Sequence, residues 1–122
     1  VIGWEDIVHF NESEFRCKHC GDCAMDMEFV SKLDGLREQI GTPVVVTSGY
    51  RCPAHNAAVS STGDHGPHTT GKAADIQVKP EKMRDLIDIA VELFPGIGLQ
   101  LKGDHGSRYI HVDDLTRRAW TY

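Results

Sequence analysis

Two segments of this chain are apolar on one side only, at helical spacing, and that restricts the folds open to it. Phe29, Val30, Leu33, Leu36 and Ile40 form one stripe over residues 26–40, and Met83, Leu86, Ile87, Ala90, Val91 and Phe94 form another. A helix with a single apolar stripe must bury it against another element. Asp26 stands where an N-cap is expected and Gly41 where that helix should stop; Pro80 opens the second helix and Pro95-Gly96 ends it. The partners are short strand-like runs. Pro43-Val44-Val45-Val46-Thr47 is β-branched and reads as a buried strand, and Lys72 to Val78 reads as another. Ile97 to Leu101 and Tyr109 to Val112 flank the turn Lys102-Gly103-Asp104-His105-Gly106 in a hairpin pattern. A short helix is expected over Ala54 to Val59, with Pro53 at a first helical position. This order predicts an α+β domain in which a small antiparallel sheet packs against helices. With 122 residues, one domain over 1–122 is expected.

Charge and hydropathy exclude several functions. The chain has 13 basic and 18 acidic side chains, a net charge of −5, and no basic stripe, so nucleic acid is not an expected partner. No apolar run approaches the roughly 20 residues of a membrane span, so no membrane insertion is expected. The opening Val-Ile-Gly-Trp-Glu-Asp is not a basic stretch followed by an apolar core, so no signal peptide is expected in this chain. A monomer is expected. Trp120 and Tyr122 are expected to cover an edge of the core.

Three of the four cysteines lie in Cys17-Lys-His-Cys20-Gly-Asp-Cys23, and Cys52 lies far downstream. They have three readings: disulfides, buried free thiols, or a structural zinc site with His19 and His55 as substitute ligands. A redox role for Cys17-x-x-Cys20 lacks the strand and helix start such a motif requires.

The seven histidines matter through their positions. His65-Gly-Pro-His68-Thr-Thr-Gly71-Lys-Ala-Ala-Asp75 runs from a Gly/Ser/Thr-rich segment, residues 60–71, into the second strand. On the last strand Ile110 and Val112 face one way, so His111 and Asp113 share the opposite face. Imidazole and carboxylate are the ligands of catalytic zinc, three from protein with a fourth position left open.

The stretch His68-x-x-Gly71-x-Ala73-x-Asp75 resembles the His-x-x-Gly-x-Ala-x-Asp signature of the zinc D-Ala-D-Ala carboxypeptidases, the M15 peptidases, whose fold is shared with the signalling domain of hedgehog proteins. Further similarities follow in family order: Ser48-Gly49-Tyr50-Arg51 after a strand, Asn56 in the next helix, and His111-Val112-Asp113 near the end. Glu14-Phe15-x-Cys17 and the closing Asp113-Asp114-Leu115 through Trp120-Thr121-Tyr122 resemble small phage-borne or bacterial members. The resemblance implies a hedgehog/DD-peptidase-like fold with one catalytic zinc on His68, Asp75 and His111; a structural zinc on the cysteines, from the reading of their spacing, would be a second ion. It implies that Arg51 pairs with a substrate carboxylate or carbonyl. The implied activity is hydrolysis of peptidoglycan stem peptides, as a D-Ala-D-Ala carboxypeptidase or a murein endopeptidase acting on the bacterial cell wall from a phage or after export.

The chain departs from the family pattern at two positions. Many relatives carry Glu or Asp three residues before the last histidine, where this chain has Arg108, and an arginine does not act as a base. The usual Ser two residues before the first histidine is Gly66. His105, in the hairpin turn, and Asp113, beside His111, remain for the acid/base role; Asp113 has the alternative of orienting a ligand imidazole. The missing acid also leaves open a non-catalytic, zinc-containing binding module of the same fold.

Overall fold

A computed structural model describes residues 1–122. Its elements are α1 (Met27–Ile40), β1 (Val45–Ser48), α2 (Pro53–Val59), β2 (Ala73–Gln77), α3 (Met83–Leu93), β3 (Gly96–Gln100), β4 (Tyr109–Asp113) and β5 (Arg118–Thr121). No helix is long and apolar enough to cross a membrane. The helix signals read from the sequence act as local physics demands. The Asp26 carboxylate accepts the Phe29 N–H at 3.1 Å, satisfying one of the free donors of the first turn, and Gly41 closes α1 in the left-handed conformation. Pro80 opens a 3-10 turn, Pro80–Lys82, that leads directly into α3.

The five strands form one sheet in the order β1-β2-β4-β3-β5. The first four pair antiparallel, as expected, but β5 pairs parallel with β3, so the sheet is mixed. β1 also differs from the sequence reading of a buried strand. It is an edge strand with Val45 exposed, and among its apolar neighbours only Val44 is buried.

Strand alternation gives the sheet two chemically distinct faces. Ala74, Ile76, Ile97, Ile110 and Val112 point toward α1 and α3 and join a core of seventeen buried apolar residues. The buried α1 stripe (Phe29, Val30, Leu33, Leu36, Ile40) and Leu86 and Ala90 of α3 fill the other side, with Phe29 and Phe94 ring centroids 5.4 Å apart. Each fully buried side chain such as Leu33 contributes about 1.5–3 kcal/mol through desolvation. The N-terminal segment adds Phe10 and Phe15 to the same core, which brings Cys17 against the body of the domain. The opposite face of the sheet carries Asp75, His111 and Asp113.

Candidate active site

One row of residues crosses all five strands. Ser48 is opposite Asp75, Asp75 opposite His111, His111 opposite Gly98, and Gly98 opposite Trp120. Direct cross-strand partners sit about 4.5–5.5 Å apart, so the register alone brings Asp75 and His111 together. The Asp75 Oδ1 is 3.0 Å from His111 Nδ1. His68 arrives from the 3-10 turn Pro67–Thr70, where Pro67 sits at the start, and places its Nε2 3.2 Å from the same oxygen. His68, Asp75 and His111 are each 5% exposed or less, and their ligand atoms lie within 4.8 Å of one another.

The hydrogen bonds behind the cluster fix how the two rings face it. His68 Nδ1 is 2.8 Å from the Gly49 carbonyl oxygen, and His111 Nε2 is 2.7 Å from Asp113 Oδ2. Every ring nitrogen of the pair therefore faces an oxygen. For all four contacts to be hydrogen bonds with Asp75 and Asp113 ionised, both imidazoles must carry an extra proton, and both then point an N–H at the same Asp75 oxygen. A divalent cation at the shared centre removes that requirement. Each neutral ring then donates its single N–H outward, to Gly49 or to Asp113, and turns its lone pair inward. Two imidazoles and a carboxylate form a donor set suited to zinc. The residues present fit the ion.

Without an ion, the charges of the cluster hold one another. Burial alone would raise the Asp75 carboxyl, but hydrogen bonds from His111 and His68 and their charge outweigh it and hold Asp75 well below the usual carboxylate range. For His111, burial acts to lower the pKa, yet the bonds to Asp113 and Asp75 raise it. Asp113 is itself fully buried; burial would raise it, but the His111 bond, the Leu115 N–H at 3.1 Å and the Arg118 guanidinium at 3.7 Å lower it.

The cluster forms the floor of a cavity of about 550 Å³. Arg51 stands on one wall, half-buried, its Nε donating to Ser48 Oγ at 3.1 Å and Nη1 to Asn56 Oδ1 at 3.2 Å, with Nη2 3.6 Å from Asp75 Oδ2. Asn56, fully buried in α2, is anchored through its Nδ2 donating to Thr62 Oγ1 at 2.8 Å and to the Gly63 carbonyl. That ties the Arg51 fork to the Ser60–Thr62 rim of the cavity.

The opposite wall is aromatic and was not read from the sequence. Trp120 and Tyr122, expected at a core edge, line the cavity together with Tyr109 and Arg118. Trp120 reaches His111, ring centroids 5.0 Å apart, because Gly98 between them has no side chain: a Cβ there would stand 2.6 Å from the indole. The Arg118 guanidinium lies 4.6 Å from the Trp120 ring. Burial, and next the Asp75 charge, push the Tyr109 and Tyr122 hydroxyls up, which keeps both protonated. Tyr109 could have been found from the alternation that placed His111 and Asp113 on one face, since it lies two residues before His111.

Three residues from the sequence reading lie elsewhere. His105 sits at the far end of β2 with Nε2 2.8 Å from the Val78 carbonyl, beside Thr42, Pro43 and Lys79, and does not line this cavity. Arg108 turns into its own hairpin, its Nε donating to the Gly103 carbonyl at 2.9 Å. Asp113 is behind His111 rather than in the cavity wall. No disulfide joins any of the four cysteines: Cys17, Cys20 and Cys52 converge, and Cys23 is apart from them, packed against the core.

No curated protein matches the chain. The family model of peptidase M15 matches residues 8–113, a span that includes His68, Asp75 and His111, Arg51 and Asp113. M15 peptidases are zinc enzymes acting on peptides, and this chain belongs to the peptidase M15 family.

Proposed function

We propose that this chain is a zinc metallopeptidase that hydrolyses peptidoglycan stem-peptide bonds, as a D-Ala-D-Ala carboxypeptidase or a murein endopeptidase. The observation that carries the reading is the buried His68–Asp75–His111 cluster, backed by Gly49 and Asp113 and open on its fourth side to a cavity walled by Arg51. A zinc ion on those three residues would bring a bound water toward a pKa of about 7 and polarise a scissile carbonyl. The chain's own groups do the rest. Asp113 and the Gly49 carbonyl hold the two imidazoles in the tautomers that point lone pairs inward. Arg51, pre-oriented by Ser48 and Asn56, offers its remaining donors to a peptide carboxylate or carbonyl entering over Asp75. Tyr109 and Tyr122 present protonated hydroxyls from the other wall, suited to donate to an oxygen that gains negative charge. Trp120 packs against one side of His111.

A second reading rests on a specific feature of the wall. Asp75 is the only carboxylate lining the cavity, and neither His105 nor Asp113 opens into it. That arrangement favours a zinc-containing binding module that recognises the peptide without cutting it. Digestion of purified murein by the zinc-loaded chain, with products weighed by mass spectrometry, separates the readings. Free D-Ala supports a carboxypeptidase, new peptide ends within cross-links support an endopeptidase, and binding without any product supports the module.

A further inference from the structure

The cysteine cluster is built independently of the active site. Cys17-Lys-His-Cys20-Gly-Asp folds into a tight turn, with the Cys17 N–H donating to the Asp22 carbonyl at 2.7 Å and the Gly21 N–H to the Cys17 carbonyl at 2.8 Å. The turn sets the Cys20 sulfur beside that of Cys17. Cys52 meets them from the N-cap of α2: its N–H donates to Cys17 Sγ at 3.3 Å, and its own Sγ accepts the His55 N–H at 3.4 Å. Backbone donors aimed at sulfur favour thiolates. The three sulfurs lie within 4.8 Å of one another, and His19 Nδ1 is 3.5 Å from Cys52 Sγ. With Zn–S near 2.3 Å and Zn–N near 2.0 Å, ligand atoms of a tetrahedral zinc stand about 3.5–3.8 Å apart. The cluster is odd in number, so one disulfide would leave a sulfur unpaired.

We propose that Cys17, Cys20 and Cys52 bind a second, structural zinc ion, with His19, beside Cys52, as the fourth ligand and Cys23 outside the site. The ion clips the N-terminal segment to the start of α2, immediately after Arg51. The backbone there is already tied inward, Tyr50 N–H donating to the Phe15 carbonyl at 2.9 Å and Arg51 N–H to the His68 carbonyl at 3.1 Å. The clip therefore holds the segment that carries Arg51. This inference does not depend on peptidase activity.

The test is titration of the metal-free full chain with cobalt(II) under reductant, reading thiolate-to-cobalt charge-transfer absorption. The expected result is a thiolate band in the unmodified chain and in Cys23→Ser, saturating at about one cobalt per chain in His68→Ala, where the cavity cluster no longer competes for the ion, and lost in Cys20→Ser and Cys52→Ser. Cys20 is exposed, so Cys20→Ser removes no core packing, and circular dichroism is the check that this variant folds. His19→Ala should weaken cobalt binding by at least tenfold without abolishing the band. Absence of thiolate-to-cobalt absorption in the unmodified chain overturns the proposal, as does a band that survives Cys20→Ser and Cys52→Ser. A disulfide among Cys17, Cys20 and Cys52 in protein purified without reductant overturns it too. Retention of the band in His68→Ala separates this site from the cavity cluster, so either can fail alone.

Discussion

Gly96 lies opposite Asp113 across the β3–β4 pair, and a Cβ added at Gly96 would stand 1.9 Å from Asp113 Oδ1. The carboxylate that orients His111 occupies the space a side chain would fill. Gly96→Ala should push Asp113 off His111 Nε2 and, like Asp113→Asn, lower zinc affinity by about 10–100-fold. Competition against a chromophoric chelator measures it. An unchanged affinity in both variants would mean that Asp113 does not orient the ligand ring.

Arg51→Ala should lower kcat/KM on peptide substrate by about 10–100-fold, the size of one or two hydrogen bonds to a charged group. Arg51→Lys should not restore it, because an ammonium cannot span Ser48, Asn56 and a substrate oxygen in one plane. Thermal melting should show a small loss in both variants. A collapse of the fold would instead make Arg51 a structural residue.

The metal-free chain should have its own pH profile. Asp75, with a depressed carboxyl, contributes stability that is present above the unfolded value of about 4 and is lost as pH falls toward its folded value. His111, with a raised imidazole, contributes stability present below about 6.5 and lost as pH rises through its higher folded value. Melting temperature without metal should therefore be highest on the mildly acidic side and fall toward alkaline pH. Zinc needs neutral rings, so its stabilising effect should grow over that same rise. Parallel melting series with and without zinc check both trends; a metal-free optimum at alkaline pH would contradict them.

His105→Ala should leave peptide hydrolysis within about twofold and cost about 1 kcal/mol of stability, the value of its hydrogen bond to the Val78 carbonyl. A loss of turnover by a factor of 10² or more, with the fold intact, would return His105 to the chemistry.

What the sequence made legible was local. α1 announced itself through its stripe, Asp26 and Gly41, and the β3–β4 hairpin through two short runs about a turn, because those signals act within a few residues. The shared face of His111 and Asp113 followed from strand alternation, and their role from a family motif. β5 escaped because Arg118–Thr121 is short and mostly exposed, and its parallel pairing with β3 depends on a register set 22 residues away. Trp120 was misplaced for the same reason, since its path to His111 exists only where Gly98 leaves a gap. His105 was drawn toward the site by sequence proximity to His111, whereas the hairpin turn carries it to the other end of β2.

The central claim is a metal ion on His68, Asp75 and His111, and zinc per chain in the Cys20→Ser variant, purified without added metal, tests it most directly. Cys20→Ser removes the cysteine cluster from the count. The account predicts about one zinc per chain in that variant and none once His111→Ala is added, with the fold retained by circular dichroism. An absence of zinc in Cys20→Ser even after titration, or a zinc that persists in Cys20→Ser/His111→Ala, would contradict it.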